Sequence, residues 1–148
     1  MDISLEKPGA EWYDIFPARG GVYDLAYAAR FGENGTDRLR AVVALGKSGD
    51  PRAVRPLADL LTDSDREIRL SATIALGELK SGRAVEALTL RLGDRNESVS
   101  VREQAAVSLG SIRSTGAIRI LKEFIADESE DRELRLVTEK VLAIAKSG

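Results

Sequence analysis

Apolar residues recur three and four apart along this sequence, the spacing of a helix face, and the pattern itself repeats. Arg38-Leu39-Arg40-Ala41-Val42-Val43-Ala44-Leu45-Gly46 aligns with Arg69-Leu70-Ser71-Ala72-Thr73-Ile74-Ala75-Leu76-Gly77. Both align with Arg102-Glu103-Gln104-Ala105-Ala106-Val107-Ser108-Leu109-Gly110. A worn fourth copy runs from Arg135 to Ala143. The leading arginines step by 31, 33 and 33 residues, a period that predicts a stacked unit of helical hairpins.

Each of the first three copies continues into a second helix. Ala53-Val54, Ala84-Val85 and Ala117-Ile118 open its apolar face, and Leu57, Leu88 and Leu121 continue it. Asp50, Ser81 and Ser114 stand where a side-chain oxygen can accept from the orphan amides of a first turn. Pro51 fits the first helical position after Asp50. The unit is therefore helix A, a short turn, helix B and a polar connector. The connectors after the second and third units are the longer ones, which accounts for the change in period at little energetic cost. Gly46, Gly77 and Gly110 lie near the end of helix A, but Leu79 and Ile112 continue the pattern beyond two of them. Close approach of a neighbouring helix is the expected reason for glycine there, ahead of C-capping, since glycine inside a helix costs about 1 kcal/mol relative to alanine.

The pattern Arg-x-x-Ala-x-x-x-Leu-Gly, a turn, then Arg-Ala-Val-x-x-Leu-x-x-x-Leu resembles the short HEAT-like repeat of the bilin-lyase type. It is carried best by Arg69 to Gly77 with Arg83-Ala84-Val85-Glu86-Ala87-Leu88, and by Arg38 to Gly46 with Arg52-Ala53-Val54-Arg55-Pro56-Leu57. The resemblance covers residues 37–145 and implies an all-α, right-handed α-α superhelix of about three full repeats plus caps. The expected boundaries are 1–36 for an N-terminal aromatic cap with a degenerate half-repeat, then repeats at 37–64, 65–97, 98–130 and 131–148. The third repeat departs from the pattern at Thr115-Gly116, and the fourth lacks helix B and carries Thr138 and Ala143 in the alanine and glycine columns, as a C-terminal cap would. In such repeats a connector acid often pairs with the helix-A arginine, which implies Asp63 or Asp65 with Arg69, and Asp131 with Arg135. The four arginines are then a structural ladder.

Six of the seven aromatic residues fall before residue 32. Residues 21–31 read as one helix ended by Gly32, the B helix of a degenerate first unit. Trp12, Tyr13, Ile15 and Phe16 are expected to cover the exposed apolar face of that unit. The functional alternative makes Trp12, Tyr13 and Phe16 an aromatic contact for a partner.

Composition then removes chemistry. The chain has no Cys and no His, which excludes disulfides, thiolate nucleophiles, the usual zinc sites and His-based triads. Deoxyhypusine hydroxylase is a HEAT-like enzyme with His–Glu metal motifs, and a chain without His cannot build them. No catalytic residue, metal ligand or cofactor is expected. A bilin-lyase subunit remains as a distant alternative from the resemblance. The formal charge is −2, with residues 1–36 at −3 and the remainder at +1, thin for the clustered cations of a nucleic-acid partner. The run Asp127-Glu128-Ser129-Glu130-Asp131 lacks the spacing of a calcium loop and reads as a solvated connector. No apolar run reaches the roughly 18 residues of a membrane span, and no basic n-region opens the chain, so the cytoplasm is expected.

These features point to a non-catalytic adaptor that binds another protein through its concave helix-B face, with a nucleic-acid-binding protein or a bilin-lyase accessory subunit as alternatives. The expected contact residues are Arg52, Arg55, Arg83, Glu86, Arg119 and Lys122. The last helix, with Leu134, Leu136, Val137, Val141, Leu142 and Ile144, is apolar on more than one face and is a candidate homodimer contact.

Overall fold

The computed structural model describes residues 21–147. The expectations for Trp12, Tyr13, Ile15 and Phe16 lie outside the described residues. The described chain is all helical: α1 Val22–Phe31, α2 Gly35–Lys47, α3 Val54–Asp59, α4 Arg66–Leu79, α5 Val85–Gly93, α6 Val99–Ile112, α7 Thr115–Ala126 and α8 Arg132–Ser147. Helices α2, α4, α6 and α8 form the A row, each packed on the next, and α1, α3, α5 and α7 form the B row against it.

The caps follow from the side chains. Asp50 accepts from the Arg52 amide, Ser81 from Arg83 and Ser114 from Ala117, each starting a B-row segment. Short 3-10 turns at Pro51–Ala53 and Gly82–Ala84 lead into α3 and α5. Asn34, Asp65 and Ser98 cap α2, α4 and α6 in the same way. Helices α4 and α6 end on Lys80 and Arg113, whose left-handed backbones (φ 53° and 58°) turn the chain toward helix B.

The core is a column of repeat-equivalent residues. Ala41, Ala72 and Ala105, then Leu45, Leu76 and Leu109, are almost wholly buried between the rows, and Leu57, Leu88 and Leu121 meet them from the B side. Each such leucine contributes on the order of 2 kcal/mol by leaving water. The glycines are inside the helices and set the spacing of the A row. A Cβ on Gly46 would stand 2.7 Å from Ala75 Cβ; on Gly77, 2.5 Å from Ser108 Oγ; on Gly110, 2.5 Å from Val141 Cγ1. Ser108 uses that approach to donate across the helix pair to the Thr73 carbonyl at 2.8 Å.

The arginine ladder exists, but its partners differ from those expected. Arg38 reaches forward to Asp63 (2.6 Å), Arg69 to Glu97 (2.9 Å) and Arg102 to Glu130 (2.9 Å). Each arginine thus binds the connector that follows its own helix B. Arg69 touches only the backbone carbonyls of Asp63 and Ser64 in the connector before it. Asp65 and Asp131 are spent on capping, accepting from the Glu67 and Leu134 amides. Burial alone would raise the Glu97 carboxyl. Hydrogen bonds from Arg69, the Ser98 amide and Arg91 outweigh it and hold the group below the usual carboxylate range. Asp63 shows the same balance, with burial opposed by Arg38 and the Asp65 amide.

Candidate functional site

The six residues expected on the concave face are all exposed and lie on the B row or on the turns leading into it. Arg52 and Arg83 occupy equivalent first-turn positions; Arg55, Glu86 and Arg119 share the next column, and Lys122 stands one turn further. Two of the cations are tied down locally. Arg119 pairs with Glu123 one turn away at 3.1 Å, and Arg52 folds back on Asp50 at 2.6 Å. The Arg52 guanidinium in turn holds the half-buried Asp50 carboxyl below its usual value. Among the described residues Arg55 and Arg83 form no ion pair.

The end of this row deepens into a cleft of about 360 Å³ between α1 and α3. Tyr23, Tyr27 and Phe31 supply its aromatic wall, with Arg30, Arg52, Arg55 and Asp59 around the rim. The Arg52 guanidinium lies 5.6 Å from the centre of the Tyr23 ring, and Arg30 lies 5.6 Å from that of Phe31. Stacked in this way, the cations sit over ring faces that attract positive charge. The cleft suits planar or anionic groups better than cationic ones. Arg52 and Arg55, both expected as contact residues, line this cleft; the α1 wall beside them was not among the expected contacts. The clustering of aromatics before residue 32 was the available signal.

A family model described as HEAT repeats matches residues 24–99. The chain belongs to the HEAT-repeat family. Among curated proteins this HEAT-repeat chain is similar to deoxyhypusine hydroxylases. It is 34% identical over 111 residues to the one from Cryptococcus neoformans, which covers 74% of this chain and 30% of that protein. It is 37% identical over 93 residues to the one from Arabidopsis thaliana, covering 63% and 30%. The one from Rattus norvegicus is 30% identical over 90 residues, covering 61% and 30%. The match spans about 30% of the length of these relatives. A solved structure of human deoxyhypusine hydroxylase in complex with glycerol superposes with a TM-score of 0.76 at 26% identity, over 86% of this chain and 44% of that one.

These relatives overturn the expectation of a non-catalytic scaffold or adaptor, because the proteins this chain resembles carry the name of an enzyme. They overturn the expected absence of an enzyme on the same ground, and they support neither the nucleic-acid-binding nor the bilin-lyase alternative. The lack of His speaks to which ligands this chain can offer, not to which proteins share its repeats. On ligands the chemistry is unchanged. With no His in the sequence, and no cluster of three or more acidic residues able to hold a metal among the described residues, the side chains do not fit a His–Glu metal centre. Among the described residues no helix is long and apolar enough to cross a membrane.

Proposed function

We propose that this chain is the helical-repeat part of an enzyme related to the deoxyhypusine hydroxylases, and that it seats the substrate rather than supplying a metal. The observation that carries this reading is the shared fold, a TM-score of 0.76 over 86% of the chain, together with 34% identity over 111 residues to a curated hydroxylase. The side-chain inventory supports the division of labour, since this chain offers cations and aromatic rings but no imidazole. In this reading the B row holds the polypeptide around a deoxyhypusine residue. Arg55, Arg83 and Arg119 meet acidic side chains of that polypeptide, and the α1–α3 cleft takes a planar or acidic group beside it.

The test is fluorescence anisotropy with a labelled peptide carrying deoxyhypusine among acidic residues, run beside the same peptide with plain lysine. The native chain is expected to bind the deoxyhypusine peptide more tightly. Combined Arg55→Glu, Arg83→Glu and Arg119→Glu should weaken that binding by roughly tenfold or more. Equal binding of both peptides, or binding untouched by the triple charge reversal, would sink the reading.

A further inference from the structure

Within the A row, Gly46, Gly77 and Gly110 meet the next helix, Ala75, Ser108 and Val141 meet the one before, and Leu45, Leu76 and Leu109 face the B row. The remaining side of each helix looks outward. Its columns run through Leu39, Leu70, Glu103 and Leu136 and, one turn on, through Val43, Ile74, Val107 and Lys140. Exposed apolar surface gathers here. Of the seven large apolar side chains that stand exposed among the described residues, five lie on this face, Val43 (42%), Ile74 (40%) and Val107 (40%) among them. A further turn along, the same face carries Lys47, Glu78 and Ser111, so stacking of the repeats sets no demand for apolar residues on it.

Charge singles out two of the helices. On α6 Glu103 interrupts the first column, and on α8 Lys140 interrupts the second, so α2 and α4 are the helices that carry both columns apolar. Leu39 and Val43 on α2 join Leu70 and Ile74 on α4 in one patch. Helix α2 borders the patch with Arg40 and Lys47, and α4 borders it with Glu67 and Glu78, all four exposed. Among the described residues Arg40, Lys47 and Glu78 form no ion pair, and Glu67 meets its neighbour Arg66 at 3.3 Å. The face is thus apolar at its centre, positive on one helix and negative on the next. Turned by half a turn about an axis between the two helices, it complements itself: α2 meets the α4 of the other copy, apolar on apolar and positive on negative.

We propose that this chain forms a symmetric dimer with a second copy of itself through the outer faces of α2 and α4. Val43 packs against Ile74 of the second copy, Lys47 faces its Glu78, and Arg40 faces its Glu67. Each contact occurs twice, because the interface is isologous, and the assembly closes at two copies. This moves the expected homodimer contact off the last helix, where Lys140 breaks the apolar column. The B row lies on the other side of the molecule and stays uncovered, so the dimer stands or falls separately from the substrate reading.

Sedimentation equilibrium on the full chain, over a concentration series up to about 1 mM, tests it. The mass should rise from one copy to two and stop there. Lys47→Glu alone and Glu78→Lys alone should each weaken association by about tenfold or more. An equimolar mixture of the two variants should restore it, because the mixed dimer again sets one acid against one base at both contacts. Ile74→Lys, at the centre of the patch, should leave only monomer. All three positions are exposed, so the fold should survive each change, and circular dichroism verifies that it does. A monomer of the native chain at every concentration overturns the proposal. So does growth past two copies, a dimer that these substitutions leave intact, or a mixture that fails to reassociate.

Discussion

The two rows of this molecule are built to different standards. Helices α2, α4 and α6 are long and unbroken, carry the glycine contacts, and anchor every rung of the ladder. Helix α3 is short and flanked by 3-10 turns, α5 opens on one, and the charges of the B row are mostly exposed with few partners. The A row fixes the distance between repeats, so its residues answer to one another. The B row faces outward, so its side chains are free to answer to a ligand. Stability is thereby concentrated in the A row, and the proposed recognition in the B row.

The contrast is best broken at one of the close A-row glycine contacts. Gly77→Val places a branched side chain against Ser108, whose Cα would lie 3.0 Å from the new Cβ, so the backbones must part. A loss of about 3 kcal/mol is expected by urea denaturation. Unchanged stability would show that the A row is not the rigid element.

The next largest effect is expected at Glu97, whose side chain is 1% exposed and receives Arg69 and Arg91. Glu97→Ala strands two guanidinium groups that retain some contact with water, and should cost about 2 kcal/mol. Asp63→Ala, at a rung with 15% exposure of the acid, should cost less, about 1 kcal/mol. Thermal melts of the two variants side by side give the ranking, and the reverse order would refute it.

A pH series sharpens the same point. Glu97 and Asp63 are held below their usual values, so the unfolded chain protonates first on acidification. Their contribution is full above the unfolded values of about 4 and is lost as pH falls through the lower folded values. Urea midpoints at successive pH values below neutrality should fall more steeply for the native chain than for Glu97→Gln. Parallel curves would mean that Glu97 does not carry the dependence.

The smallest effect belongs to the B row. Arg83→Ala should leave stability within about 0.5 kcal/mol of the native chain in the same denaturation assay. A larger loss would mean that this row also bears structure.

Much of this architecture was legible in the sequence because repetition amplifies weak signals. One Asp, Ser or Gly is ambiguous, but Asp50, Ser81 and Ser114 at one offset, and Gly46, Gly77 and Gly110 at another, are not. The pairing of Arg69 was misread because spacing along the chain favours the nearest acids, Asp63 and Asp65. The extended side chain instead reaches across helix B to Glu97, 28 residues on. The α1 wall of the cleft was missed for a related reason, since periodicity within a helix does not reveal which neighbour it turns toward. The enzyme relationship was illegible in principle. Repeats that are shared for their packing say nothing about which of their bearers catalyse reactions.

The forward reach of the arginines has a consequence for how such molecules change length over evolution. Arg69 and Glu97, like Arg102 and Glu130, lie 28 residues apart, inside one period of the pattern, so a single duplicated or deleted stretch carries both ends of its own clasp. Had each arginine bonded the connector before it, a cut at the helix-A arginine would have left a buried charge without its counterpart. As built, the array can be lengthened or shortened by whole cassettes with no interior charge left stranded.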